Sequence, residues 1–280
     1  MPKRLTDAQV KSFRDDGALF PVAVLSAEAA RAAREKLDAL LHSNDTAALA
    51  RDVLGYKTNL VLRWVDDIAH TPAILDIVED LIGPDILLWS CTFAIKQPKS
   101  GGHFSWHQDA TYWGLSPPVA LTCWLAFGEV GANNGGVRFL LGSHKLGILT
   151  HRNTFAADNF LSRGQTITEL PKSCVESVAR LHPGEISIHD ALTAHSSGPN
   201  ESADPRIGCL LTFIPTFVRH ERVRESAMLM RGFDRFGYHD VETRPSGDLL
   251  PAELDARAIA MRKMGTYQDE SLLKASQQRS

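Results

Sequence analysis

The run Ser105-Trp106-His107-Gln108-Asp109 carries the reading of this 280-residue sequence. On an extended strand, side chains two positions apart point the same way, so His107 and Asp109 would face one common point. A lone His-x-Asp triplet arises by chance too often to mean much. Its partner lies in Thr193-Ala194-His195-Ser196-Ser197-Gly198-Pro199-Asn200, which is followed by Arg206-Ile207-Gly208-Cys209-Leu210-Leu211-Thr212-Phe213. Two imidazoles and one carboxylate on one face of a metal ion leave three positions open, the facial arrangement of non-haem Fe(II) oxygenases. A bidentate 2-oxo acid would fill two of these positions and O2 the third. The far carboxylate of such an acid needs a planar fork of donors, which Arg206 supplies better than a lysine would. The turn Ser197-Gly198-Pro199-Asn200 is predicted to lay the His195 and Arg206 segments side by side, with Ser197 adding a hydroxyl. The competing reading is a core histidine and a surface arginine in an ordinary hairpin.

Around these stretches the sequence has the texture of an antiparallel β-fold. Short apolar or alternating runs at 86–97, 119–127, 137–141, 185–189 and 206–215 are separated by Gly, Pro, Asn and Ser, as in sandwiches and barrels. The first third reads as helical. Thr6 and Gln9 form a capping box ahead of a short helix that Gly17 can end. Ser26 can cap an Ala-rich helix running to about Leu41. Thr71 as cap, Pro72 in the first turn and Gly83 past the end mark a third helix. Its buried stripe is Ile74, Leu75, Val78, Leu81 and Ile82. Residues 151–170 form a long loop that reads as a lid or binding loop. Further helices are expected at 222–231 and 251–264, with a frayed polar tail from Gln268 to Ser280. The whole is read as one domain over 1–280: helices to about residue 84, a β core over about 85–216, then C-terminal helices and the tail.

Composition narrows the function classes. An apolar fraction of 44% and a charged fraction of 22% are those of an ordinary globular protein. A formal net charge of −3 argues against nucleic acid or an anionic membrane as partner. No apolar segment approaches the roughly 20 residues of a membrane span. The start, Met1-Pro2-Lys3-Arg4-Leu5, lacks the apolar stretch of a secretory signal. The expected setting is cytoplasmic, with a small molecule as partner and the oligomeric state left open. Cys91, Cys123, Cys174 and Cys209 form no CxxC pair, which argues against a zinc ribbon or a disulfide framework. Cys91, Cys123 and Cys209 sit in apolar runs and read as small buried hydrophobes.

From about Leu5 to Thr216 the sequence resembles the phytanoyl-CoA dioxygenase family. The likeness rests on His107-Gln108-Asp109, Cys123-Trp124, Asn133-Asn134-Gly135-Gly136, Gly142-Ser143-His144-Lys145 and the stretch from His195 to Arg206. It implies a mainly β fold with flanking helices, the double-stranded β-helix or cupin-like jelly roll. The implied activity is that of an Fe(II)- and 2-oxoglutarate-dependent dioxygenase that uses O2 to hydroxylate a small molecule. The resemblance also implies His107, Asp109 and His195 as iron ligands, and Ser197 and Arg206 as anchors of the 2-oxoglutarate carboxylate. Phe93, Gln108 and Trp124 fall where the family lines the cosubstrate site. Halogenating relatives carry a small residue in place of the carboxylate ligand; Asp109 is present, which favours hydroxylation. The upstream basic residue that assists cosubstrate binding in some members has Lys57 as its nearest match.

Tyr112 and Trp113 stand where the strand leaves the metal motif and are candidate substrate contacts, whereas Trp106 reads as core. Lys57, Arg63, Lys96 and Arg138 lie in or beside predicted strands or pocket-side loops. They are either solvated edges or a set that binds an anionic group of the substrate. With Tyr112 and Trp113 such a set would suit a small zwitterion, for instance an aminophosphonate. The alternatives are a secondary-metabolite, lipid-like or acyl substrate, or a cupin-like metal-binding protein without oxygenase activity. A bare metal-binding module has no use for Ser197 and Arg206. In a structural jelly roll, inward His, Asp and Arg would be buried polar groups without partners, which is costly. Among the other histidines, His144 reads as part of a structural Gly-Ser-His turn and His103 as a loop residue at the pocket mouth. His189 competes with His195 as the distal ligand but lacks its Ser and Arg companions.

Overall fold

A computed structural model describes residues 2–43 and 46–263. Two antiparallel sheets face each other in a jelly roll. The larger runs in the order Ala18–Ala23, Glu185–Asp190, Leu121–Ala126, Arg206–Pro215, Ile86–Lys96, Ser226–Arg231, Asp240–Val241, with only the last pair parallel. The smaller runs Phe104–His107, His195–Ser197, Val137–Leu141, Val175–Val178.

Alternation along Arg206–Pro215 shows how the sequence builds this. Ile207, Cys209, Leu211 and Phe213 turn outward into a core shared with the helices. Arg206, Leu210 and Thr212 turn inward to a cavity between the sheets. The outer face is sealed by Leu37, Leu60, Trp64, Ile74 and Val78 from the N-terminal helical segments. Each fully buried Leu or Ile contributes about 1.5–3 kcal/mol, so this face holds the sheet and the polar residues are left to the inner one.

The helices begin where the capping signals stand. Asp7–Asp16 has the Thr6/Gln9 capping box and ends at Gly17 with φ 75°, and Ser26 caps Ala27–His42. Pro72–Ile82 starts after Thr71, but the Thr71 side chain makes no capping bond. Helices Ala47–Val53 and Arg63–Ala69 also form, with weaker sequence signals. The three apolar-run cysteines are buried, and Cys91 and Cys209 face each other at 3.9 Å as free thiols.

Two expectations are corrected. Residues 222–231 are not a helix: Ser226–Arg231 is a strand on the edge of Ile86–Lys96, with Met228 opposite Leu88. The open edge of a long strand demands backbone partners, and that demand outweighs the helix propensity of Met and Leu. Nor do the His195 and Arg206 segments form a hairpin. His195–Ser197 pairs with Phe104–His107 and Val137–Leu141, whereas Arg206–Pro215 pairs with Ile86–Lys96 and Leu121–Ala126. The intervening turn crosses from one sheet to the other. Asn200 holds it there, donating Nδ2–H to the carbonyls of Lys96 (3.0 Å) and Asp204 (2.8 Å).

The 151–170 segment carries its own two-stranded ribbon, His151–Asn153 with Gln165–Ile167, and bridges to His103 through Asn159. A helix occupies 251–263; its expected end at Met264 and the tail from Gln268 lie outside the described residues. Among the described residues, no helix is long and apolar enough to cross a membrane.

Candidate metal and cosubstrate site

Strand register sets the inner face row by row. His189, Thr122, Thr212 and Ser90 lie side by side across four strands, and Ser187, Trp124, Leu210 and Thr92 form the next row. The cavity above them has a volume of about 270 Å³ and is lined by His107, Asp109, His195, Ser197, Arg206 and Trp124, among others.

One corner holds His107 and His195, paired across the smaller sheet with rings 4.1 Å apart. Asp109 arrives by a different route from the one its spacing suggested. The strand ends at His107, and Asp109 opens the short helix Ala110–Trp113 with φ −58° and ψ −39°. Chain turning, not strand alternation, brings its carboxylate to the corner. Ligand atoms of His107, Asp109 and His195 all lie within 4.8 Å of one another. Nδ1 of His107 donates to the Ser105 carbonyl (2.7 Å), and Nδ1 of His195 to that of Thr193 (3.0 Å). A neutral imidazole so engaged presents a bare Nε2. Both Nε2 atoms face Asp109 Oδ1, at 3.6 and 3.8 Å. Burial first, then His107 and His189 nearby, push the His195 imidazole well below its ordinary range. Two lone pairs and a carboxylate converging without a proton between them repel one another. The donor set fits a divalent cation bound on one face.

The other corner has the opposite deficit. Arg206 is 2% exposed and makes no ion pair among the described residues. Its Nη2 donates to Ser197 Oγ (3.1 Å), its guanidinium lies 5.1 Å from the Trp124 ring centre, and its buried Nε has no partner. Lys96, opposite it in register, is fully buried and donates Nζ–H to the carbonyls of Ser197 (3.0 Å) and Gly198. Burial lowers Arg206 to about 10. Burial, then Arg206 and Arg138, push the Lys96 ammonium down to about 7. A buried guanidinium lining the cavity, with no acid beside it among the described residues, fits an incoming carboxylate, and Lys96 stands behind it on the carbonyls of Ser197 and Gly198. Ser197 Oγ donates to the Gly135 carbonyl (2.6 Å), so it reaches a ligand only by rotating. Gly135 has φ 77°, and a Cβ there would stand 2.6 Å from the Gly198 carbonyl oxygen, which explains a glycine in Asn-Asn-Gly-Gly.

Not every residue singled out in the sequence reaches the cavity. Phe93 is on the wrong parity: its neighbours Thr92 and Ala94 line the cavity, while its own ring stacks on Phe127 at 5.7 Å under the helices. Gln108 spends its amide on the carbonyls of Gly147 and Leu192 and on the Leu149 N–H, fixing loops rather than lining the cavity. Trp113 lines the cavity, while Tyr112 stands behind, its ring 6.1 Å from His107. Lys57 is buried in an ion pair with Glu242 (2.6 Å) and donates to the Ser226 carbonyl. Arg63 pairs with Asp67 on a helix surface, and Arg138 pairs with Glu176 over the Trp106 ring. None of these three basic residues lines the cavity. Lys96, grouped with them, is instead the partner of Arg206. His189, read as a rival ligand, sits beside Asp109 without joining the three converging residues. Tyr56 lines the cavity and carried no signal beyond its position before Lys57.

The chain is 29% identical over 163 residues to a probable alpha-ketoglutarate-dependent hypophosphite dioxygenase of Stutzerimonas stutzeri, covering 57% of this chain and 55% of that protein. The chain thus spans about half the length of the curated relatives it matches. It is similar to the solved apo structure of ThoJ, described as a non-heme monooxygenase. That match has a TM-score of 0.85 and 32% identity, and covers 95% of this chain and 99% of that one. The structure of CytC3 with Fe(II) and alpha-ketoglutarate shares the fold, with a TM-score of 0.65, 22% identity and coverage of 90% and 98%. A family model described as phytanoyl-CoA dioxygenase (PhyH) matches residues 13–208, and the chain belongs to that family.

Proposed function

We propose that this chain is an Fe(II)- and 2-oxoglutarate-dependent dioxygenase that hydroxylates a C–H bond of a small molecule. The observation that carries the proposal is a pair of complementary deficits in one cavity. Ligand atoms of buried His107 and His195 and of half-buried Asp109 converge at one corner, and buried Arg206 stands at another with no side-chain carboxylate beside it among the described residues. In this reading His107, Asp109 and His195 hold the iron, and Arg206 with Lys96 beside it holds the far carboxylate of 2-oxoglutarate. Trp124 supports the guanidinium from below. The chemistry such a centre supplies is oxidative decarboxylation of the 2-oxo acid to succinate and CO2, coupled to hydroxylation of the substrate. The protein's share is to hold the ligand side chains in place and keep the cavity dry. A cupin-like metal-binding protein without cosubstrate has no need of a buried, unpaired guanidinium.

The wall away from Arg206 combines Tyr56 and Trp113, both against Trp89, with the hydroxyls of Ser90, Thr122 and Thr212. Lys57, Arg63 and Arg138 are engaged elsewhere, so among the described residues lining that end an aminophosphonate finds no side-chain cation. The lining supports the other substrate reading, a compound of the secondary-metabolite kind that is uncharged where it meets this wall. The likeness to a protein named for hypophosphite does not carry that oxyanion here, for the same reason.

Anaerobic titration of Fe(II) with and without 2-oxoglutarate tests the assignment. The expected result is a weak visible charge-transfer band that needs both components and is lost in Arg206→Ala, with Fe(II) binding retained. Iron binding with no band in the wild type would leave a metal site and remove the cosubstrate.

A further inference from the structure

The two oxygens of Asp109 face different partners. Oδ1 is turned to Nε2 of His107 and His195, at 3.6 and 3.8 Å. Oδ2 is turned to Nε2 of His189, at 3.3 Å. His189 is 2% exposed, and its ring packs between Phe139 (5.2 Å) and His195 (4.4 Å). Its Nδ1 is buried with no hydrogen-bond partner, so among the described residues Asp109 is the one hydrogen-bonding group its ring faces. Asp109 has little else to fix it: it opens a helix of four residues and its side chain makes no capping bond to it. A carboxylate free to rotate about its own axis would exchange its two oxygens or offer both at once.

We propose that His189 is a positioning residue. By donating Nε2–H to Asp109 Oδ2, it holds Oδ1 toward His107 and His195, so that the carboxylate binds metal through one oxygen and keeps the remaining positions open. His189 itself is not among the residues whose ligand atoms converge, and it acts only through Asp109. This inference rests on the proposed metal site. The general rule is that groups bonded to a metal ligand set its orientation, and their loss typically costs about 10–100-fold in metal affinity.

The test is Co(II) titration of metal-free protein, following the visible d–d spectrum. His189→Phe keeps a ring against Phe139 without a donor, and His189→Gln restores a donor of similar reach. The expected result is Co(II) affinity about 10–100-fold weaker with an altered spectrum in His189→Phe, and near-wild-type affinity and spectrum in His189→Gln. Wild-type behaviour of both variants overturns the proposal and leaves His189 a packing residue. A glutamine variant as weak as the phenylalanine one overturns it too, because the donor would then not be what matters. If His189→Phe does not fold, His189→Asn replaces it: its amide is too short to reach Asp109 and should bind Co(II) as weakly as predicted for Phe, while binding equal to Gln overturns the proposal. Failure of the wild type to bind Co(II) at all removes the metal reading itself, an outcome distinct from any difference among the variants.

Discussion

The two polar corners of the cavity are each incomplete, and in opposite senses. Around Asp109 the protein gathers lone pairs and negative charge; around Arg206 and Lys96 it gathers positive charge and shields it with Trp124. A fold seldom leaves buried groups of one sign together, because each costs several kcal/mol to desolvate. Where it does, the missing partner is written in the charge and shape of what remains. The metal corner asks for a small divalent cation, and the arginine corner for a planar anion. The metal corner is rigid through backbone carbonyls on both Nδ1 atoms. The arginine corner is held by a stacked indole and carbonyls, a softer support.

Breaking the metal corner has the largest expected effect. Asp109→Ala removes the one charged ligand, and Fe(II) affinity should fall by more than the roughly 100-fold that loss of a supporting partner can bring. Turnover should fall to background with it. Metal-free protein should still unfold within about 4 °C of wild type, the scale of about 1 kcal/mol, because the substitution also relieves crowding of unpaired acceptors. Calorimetry on the metal-free variant checks this. A collapse in unfolding temperature would make Asp109 a structural residue and dissolve the contrast between the corners.

The metal corner was legible in the sequence, the arginine corner only in part, and the reason is parity. His107, Asp109 and His195 are residue types with few other reasons to lie together, and the stretch from His195 to Arg206 gave the His-x-Asp triplet the context it lacked by itself. Lining residues are decided by which face of a strand they take, and a shift of one position reverses the answer. Phe93 was assigned to the cosubstrate, yet Thr92 and Ala94 hold the inward positions. Lys96 shares the parity of Ala94 and was read as a possible strand edge. Lys57 lay outside any period that could have placed it, since its neighbour Tyr56 faces the cavity while Lys57 turns to Glu242. The fold core was read well from its turn-bounded apolar runs, with Val137–Leu141 and Arg206–Pro215 as expected. The Ser226–Arg231 strand escaped because its residues are helix formers and only the neighbouring sheet edge makes them a strand.

Gly208→Ala should sharpen the contrast at intermediate cost. Gly208 lies on the central strand under the Trp124 indole, and an added Cβ would stand 2.0 Å from the ring. The indole must move, and the support of Arg206 moves with it. Destabilisation of about 1–3 kcal/mol is expected from such overpacking, read from the urea midpoint. Affinity for 2-oxoglutarate should weaken while Fe(II) affinity stays that of wild type. Equal losses at both corners would mean that the cavity responds as one unit.

The smallest effect is a pH dependence belonging to Lys96. Its ammonium, ordinarily near 10.5, is pushed down to about 7 by burial and by the guanidiniums of Arg206 and Arg138. Between these two values the unfolded chain binds a proton that the folded chain does not, so stability rises with pH across that window. Below about 7 both states carry the proton, and the buried charge is then most costly. Replacing Lys96 by Met removes the dependence. The wild-type stability measured relative to Lys96→Met should therefore grow by on the order of 1 kcal/mol between pH 7 and pH 9 in urea titrations. A bound carboxylate reverses the cause, since an anion beside Arg206 and Lys96 favours the charged amine. Binding of 2-oxoglutarate at pH 8 should then take up a proton, and at pH 6 it should not. Calorimetry in two buffers of different ionisation heat reads this directly. Absence of uptake at pH 8 in the wild type would separate Lys96 from the carboxylate and leave Arg206 as the sole cation of its corner.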